Sequence, residues 1–384
     1  MLWVVSIEPA PSDLLFIWIW IKRLLSRRIR WPNLLFSHLL LAFVALNFLQ
    51  LIWVSSWQRG LFFAGATAYT ISLCFYFSSS ITNLQTWFEI RKYYLAAVLV
   101  ATLIIIYLAL IFFIGRSDNL LELYYGERPK GFFKDPNVAG PFVATGAIFA
   151  FSQFIFQKKQ SSFWFLFMIF FITFLATFFT FSRGALINLF IGILTVGLIA
   201  IWLRKGLRFM VIVFTIALFT FLFSSYILYI LEAFGQSFRF RGPTFYDIYG
   251  RLAAWQAGIR LFMDNPWGVG PGQFEDRLVP YFTYYAAHNM FLRVLVENGV
   301  LGFSVLFCAF MTLIMIIIKA IKTAFIHQNK FLMADIAWLS GSLMGIFVES
   351  FLIDTLHWRH FWIIIGFIVA LFRISKRLPG ENQT

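Results

Sequence analysis

Two cysteines in 384 residues exclude a disulfide framework. Cys74 and Cys308 lie far apart inside apolar runs and have no metal-ligand spacing, so both read as small hydrophobes. Charged residues are only 12% of the chain, too few to solvate a soluble domain of this size. No Asp-x-Asp pair is present to hold a metal with a nucleotide sugar, nor is there a P-loop or a Gly-x-Ser-x-Gly elbow. Metal-dependent transfer from a nucleotide sugar and ATP-driven pumping are thereby disfavoured. Internal repeats, low-complexity tracts and soluble domain boundaries are also missing. No signal peptide with a small-residue cleavage site opens the sequence, which leaves targeting to the first spans as the expectation.

What is there is grease. The chain is 61% hydrophobic and 21% aromatic, with a mean hydropathy of +0.81, and this defines an all-α polytopic membrane protein. Runs long enough to cross a bilayer as helices lie near 34–56, 60–80, 93–115, 140–157, 163–181, 184–203, 209–231, 298–318, 331–352 and 359–373. With a shorter run near 13–21, the expectation is about eleven transmembrane helices. Basic clusters fall at every second connection: Lys22 to Arg30, Arg91–Lys92, Lys158–Lys159, Arg204 to Arg208, Lys319 to Lys330 and Arg373 to Arg377. The positive-inside rule makes these the cytoplasmic side.

That assignment places about 18 basic and 3 acidic residues inside, against about 13 and 14 outside, so roughly +15 faces roughly −1. The net charge of +14 is therefore topological, and no nucleic-acid partner is implied. The alternation puts the C-terminus inside and the N-terminus outside. Twelve helices with both ends inside is the alternative, with Met1 to Ile7 as the remnant of a helix lost to a misplaced start codon. Three regions result: 1–231, N-terminal helices with a short outer loop at 116–139; 232–289, a larger outer loop with amphipathic helices; and 290–384, C-terminal helices and a cytoplasmic tail. Every polar-rich feature opens onto the outer face.

In "FFTFSRGALINLF", a tight turn leaves Arg183 at a helix N-terminus. That end already carries about +0.5 of an elementary charge, so a cation there calls for an anion between them. A guanidinium at a helix N-terminus forms a phosphate trap. The alternative is an interfacial arginine snorkelling to lipid headgroups. In "YGRLAAWQAGIRLFMDNPWGVGPGQF", Asp247 can cap a helix that runs to about Met263 and stops at Asn265–Pro266. Arg251, Trp255, Ile259 and Phe262 share one face of it, which suits a helix lying on the membrane surface. It can equally be a lid in which Arg251 pairs with Asp247. Gly268, Gly270 and Gly272 make a bend; Pro271 and the lack of a preceding strand exclude a dinucleotide fingerprint.

"YYAAHNMFLRVLVENGVLG" places His288 and Asn289 ahead of an apolar helix. An imidazole there can take the proton of a sugar hydroxyl, or serve as an interfacial or capping group. Asn289 can orient it or bind a sugar. Arg293 and Glu297, one turn apart, read as a local ion pair, and Gly299 and Gly302 as close-packing positions. "ERPKGFFKDPNVAGP" brings Arg128 and Asn137 into a basic, turn-rich approach that can contact phosphate or glycan, or can simply connect helices. "DTLHWRHFW" sets His357, Arg359 and His360 beside Trp358 and Trp362, read as a membrane-interface belt. Asp335 and Glu349 fall near predicted helix ends, whereas a transporter needs ionisable groups near mid-bilayer.

The order "DPNVAG", "TFSRGAL", "GRLAAWQAGIRLFMDNPWGVGPGQF", "AAHNMFLRVLVENGVLG" and "HWRHFWIIIGFIVAL" resembles the O-antigen ligase/polymerase family of bacterial envelope proteins. The resemblance covers roughly residues 135 to 373 and is strongest in 182–302. It implies a multi-pass protein of the bacterial inner membrane with its active site facing the periplasm. The implied reaction takes a glycan from undecaprenyl diphosphate and joins it to lipid A–core or to a second lipid-linked glycan. It further implies that Arg183 and Arg251 hold the donor diphosphate and that His288 is base toward the acceptor hydroxyl. Arg128, Asn137, Trp255 and Asn289 are the expected further substrate contacts, with no metal or cofactor and with membrane lipids as surroundings. The ligase is favoured over the polymerase because one substantial outer loop lies just before the histidine.

Overall fold

The computed structural model describes residues 11–26, 34–114, 118–126, 128–157, 163–203, 245–278 and 288–377. The expected span near 209–231 and the Met1–Ile7 segment lie outside the described residues. The helices are α1 (Pro11–Leu25), α2 (Leu35–Leu49), α3 (Trp57–Ser80), α4 (Leu84–Phe113), α5 (Pro136–Gln157), α6 (Phe163–Phe179) and α7 (Arg183–Trp202). They continue as α8 (Phe245–Asp264), α9 (Phe274–Leu278), α10 (Met290–Ile326), α11 (Lys330–Glu349) and α12 (Arg359–Ser375). Against the all-α expectation, β1 (Tyr124–Tyr125) and β2 (Arg128–Pro129) form a two-stranded antiparallel pair, with Tyr124 opposite Pro129.

Seven of the described helices are long and apolar enough to cross a membrane: α2 with its 3-10 extension to Trp53, α3, α4, α5, α7, α10 and α11. Helices α6 and α12, at 17 residues each, are shorter than that. Apart from the small strand pair, the described residues are those of an all-α membrane protein. The helix ends follow side-chain chemistry. Asn83, Ser182, Asn289 and Asn329 cap α4, α7, α10 and α11, each accepting from the backbone N–H three residues on. Helix α4 starts nine residues before the apolar run near 93, because the more polar turns from Leu84 to Lys92 continue the same helix.

Two spans form the centre. The α5 and α11 windows are 89% and 78% buried, against 44% or less for the others. Helix α11 packs on α5, α7, α10 and α12. It approaches α7 so closely that a β-carbon on Gly341 would lie 2.6 Å from the Gly192 carbonyl oxygen, which is small-residue packing of the membrane kind.

Helix α11 also carries two fully buried acids, about 21 Å apart along its axis. Asp335 accepts from Arg91 Nη1 at 2.7 and 2.8 Å, Trp87 Nε1 at 2.7 Å and Gln153 Nε2 at 2.9 Å. Glu349, at the other end, accepts from Asn188 Nδ2 at 3.0 Å.

A second, smaller core joins α8, α9 and the first turns of α10: Ala254, Ala257, Leu261, Phe274, Leu278, Leu292 and Val296. It stands apart from the main core and joins the helix that carries Arg251 and Trp255 to the start of α10.

Candidate active site

The connection before α5 folds onto the turn between α6 and α7. Asp135 ends it with an Asx turn, its Oδ1 accepting from Asn137 N at 2.6 Å. Arg128 donates from Nε to the Thr180 carbonyl at 3.2 Å and from Nη2 to Asn137 Oδ1 at 2.9 Å. The same Asn137 oxygen accepts from Ser182 Oγ at 2.9 Å. Ser182 caps α7, so Arg183 is its first residue, and its side chain is exposed. Burial lowers the Arg128 pKa from its ordinary value, with Asp135 opposing and the nearby charge of Arg183 adding to the fall. Arg128, Asp135 and Arg183 therefore share one neighbourhood.

His288 and Arg251 share another, and the charge of Asp135 acts on both Arg128 and His288. His288 precedes the α10 cap with a left-handed φ of 43° and is half-buried. Its pKa is lowered, first by burial and then by Arg251, against the opposing charges of Asp135, Asp354 and Glu275. Arg251 is an exposed residue of α8, and its Nη1 donates to the Leu352 carbonyl at 3.3 Å. Asp247 lies inside α8, which is described from Phe245, and not at its cap; its side chain is outside the described residues. Trp255 is half-buried against the smaller core. Asn289 is more constrained than expected, because its Oδ1 is used as the α10 cap, accepting from Leu292 N at 3.0 Å.

Arg293 is more than half of a local pair. It meets Glu297 at 3.1 Å, Asp354 at 2.6 Å and both oxygens of Glu275 at 3.0 Å. Glu275 in turn accepts from Arg59 Nη2 at 2.7 Å. Burial opposes the charge on Asp354, yet Arg293 and His357 outweigh it and hold the carboxyl below its ordinary value. The backbone closes the same region: Met290 N donates to the Ser350 carbonyl at 2.9 Å. The turn at 350–356 thus lies beneath both Arg251 and the start of α10.

"DTLHWRHFW" requires a correction. Trp358 and Trp362 are 8% and 0% exposed, so they are core and not a membrane-interface belt. Trp362 Nε1 donates to the Leu356 carbonyl at 2.6 Å, which satisfies the indole inside the bundle. His360 is buried too, His357 meets Thr67 Oγ1 at 3.0 Å, and Arg359 pairs with Asp13.

Sequence reasoning passed over Asp135, Asp354, Glu275 and Arg59. The first two sat inside quoted motifs, "DPNVAG" and "DTLHWRHFW". Arg59 gives no such signal, since it reaches Glu275 from 216 positions away.

The described residues thus gather arginines, His288 and turn-forming asparagines, groups able to hold an anion and to move a proton. Residues 168–307 match the O-antigen ligase family. The stretch includes Arg183, Arg251 and His288, and the resemblance read from the order of motifs is borne out there. No curated protein matches the chain.

Proposed function

We propose that the protein is an inverting, metal-independent glycosyltransferase that moves a glycan from undecaprenyl diphosphate to an acceptor hydroxyl at the periplasmic face of the inner membrane. His288 accepts the proton of the acceptor hydroxyl as its oxygen attacks the anomeric carbon. The bond from that carbon to the diphosphate oxygen breaks on the opposite side, and undecaprenyl diphosphate leaves with the electron pair. Arg183 and Arg251 bind the diphosphate and stabilise the charge that grows on it in the transition state, which makes them catalytic as well as binding groups. Arg128 and Asn137 support the phosphate side. Trp255 and the Nδ2 of Asn289 are the contacts for sugar.

The observation that supports this reading best is the position of Asp135, whose charge is felt both by Arg128 beside Arg183 and by His288 beside Arg251. The lowered His288 pKa keeps the imidazole unprotonated near neutral pH, as a general base requires.

Lipid A–core is the favoured acceptor and a second lipid-linked glycan the alternative. Deleting the gene and resolving the envelope glycans on a gel separates them. Full-length chains left on the lipid carrier identify a ligase; unpolymerised single repeats identify a polymerase; an unchanged pattern overturns the proposal.

A further inference from the structure

Helix α10 is broken at Gly299, where φ is 65° and ψ is −171°. A break leaves the last carbonyls of the first half-helix and the first N–H of the second without intrahelical partners. The glycine-rich loop after α8 supplies them. Val269 N donates to the Val296 carbonyl at 3.0 Å and Gly270 N to the Glu297 carbonyl at 2.9 Å, while Val300 N donates to the Pro266 carbonyl at 2.9 Å. Gln50 Nε2, from the end of α2, bridges the carbonyls of Trp267 and Asn298 at 3.1 Å each. Asn298 Nδ2 returns bonds to Gln50 Oε1 at 2.8 Å and Asn47 Oδ1 at 3.1 Å.

The backbones meet with no room for side chains. A β-carbon on Gly268 would lie 2.4 Å from the Glu297 carbonyl oxygen, and one on Gly299 would lie 2.3 Å from the Trp267 carbonyl carbon. The left-handed φ values of 93° at Gly268 and 65° at Gly299 add a second reason for glycine at both.

The consequence lies at the far ends of the joined elements. Arg251 is on α8, which runs into this loop, and His288 immediately precedes the half-helix that the loop grips. Between them α8 touches α10 through the small core of Ala254, Ala257, Leu261, Leu292 and Val296. We propose that the junction of the 265–272 loop with the broken helix at Gly299, pinned by Gln50 and Asn298, positions Arg251 against His288. Gln50 and Asn298 are thus positioning residues: they fix the angle of α8 on α10 and, through Arg251, the proton affinity of the histidine. The inference rests on the roles given above to Arg251 and His288, but the titration that tests it does not.

Among the described residues, the charges that act on His288 are Arg251 on α8, Asp135 before α5, Asp354 after α11 and Glu275 on α9. Loosening the junction moves Arg251 away, and the loss of a neighbouring cation raises the histidine pKa. The experiment is the pH dependence of His288 modification by diethylpyrocarbonate in the full-length protein in detergent, read by peptide mass spectrometry. Arg251→Gln sets the full effect, expected as an upward shift of about half a pH unit or more. Gln50→Ala is expected to move the midpoint in the same direction, with kcat for transfer falling about ten-fold or more and the acceptor KM changing less. Gly268→Ala should act more strongly, and Gln50→Ala carries the test if that variant does not fold. An unshifted midpoint in folded Gln50→Ala, or in Arg251→Gln, overturns the inference. Absence of glycan transfer by the unsubstituted protein would sink the functional reading and leave the titration to judge the junction alone.

Discussion

Arg293 Nη1 and Asp354 Oδ2 meet at 2.6 Å, and the contact ties the first turn of α10 to the turn that follows α11. Arg293 is 9% exposed and is held by two further carboxylates. Glu275 keeps Arg59 when Arg293 is removed, but the buried Glu297 and the half-buried Asp354 lose their cation, at a cost of about 3–5 kcal/mol. Arg293→Ala is therefore expected to lower the thermal unfolding midpoint in detergent and the yield of inserted protein, with loss of activity following loss of fold. His288→Ala, which removes no ion pair among the described residues, should leave the midpoint close to that of the unsubstituted protein.

Asn137 makes a different prediction, because its Oδ1 serves both Arg128 and Ser182. A hydrogen bond to a charged group is worth about 1.5–3 kcal/mol. Asn137→Ala leaves Arg128 held, among the described residues, by the Thr180 carbonyl alone and removes one support of the Ser182 cap, so the donor KM should rise about ten-fold or more with the fold retained. Steady-state kinetics at varied donor concentration measure this. An unchanged donor KM would detach the 128–137 connection from the substrate.

The pH dependence follows from His288. Its pKa is lowered from an ordinary value near 6.5 by burial and by Arg251, and a general base works only when unprotonated. Activity should hold at pH 6.5 and fall only as the pH drops through the lowered value. The linkage to stability has the same sign. In the window below about 6.5 and above the folded value, the unfolded chain binds the proton and the folded one does not, so stability declines as the pH falls through it. A kcat/KM profile already halved at neutral pH would contradict this.

Much of the fold and part of the site are legible from the residues alone. Apolar runs mark the spans because a bilayer imposes a length, and "FSRGAL" gives the α7 start because a serine followed by helix-forming residues is a cap. Arg183 and His288 stand out as polar groups at the mouths of apolar helices, and Arg251 as a cation on an amphipathic one. What composition hides is contact between distant segments. The Asp13–Arg359 pair and the Arg59–Glu275 bridge join positions with no local pattern. The glycines at 268, 270 and 272 read as a bend; their carbonyl and amide partners become visible only once Gly299 breaks α10. Trp358 and Trp362 mislead because tryptophan suits both a membrane interface and a core with a carbonyl in reach, and sequence does not reveal the Leu356 carbonyl.

The account depends above all on His288 acting as base toward the acceptor, with Arg251 beside it and Arg183 proposed to hold the donor. The most direct test is transfer by purified protein in proteoliposomes, with a polyprenyl-diphosphate-linked glycan as donor and a defined acceptor, comparing His288→Ala with Arg183→Ala and Arg251→Ala. Each variant should remain folded and inserted yet lose transfer by about a hundred-fold or more. Transfer by His288→Ala at the unsubstituted rate would contradict the account.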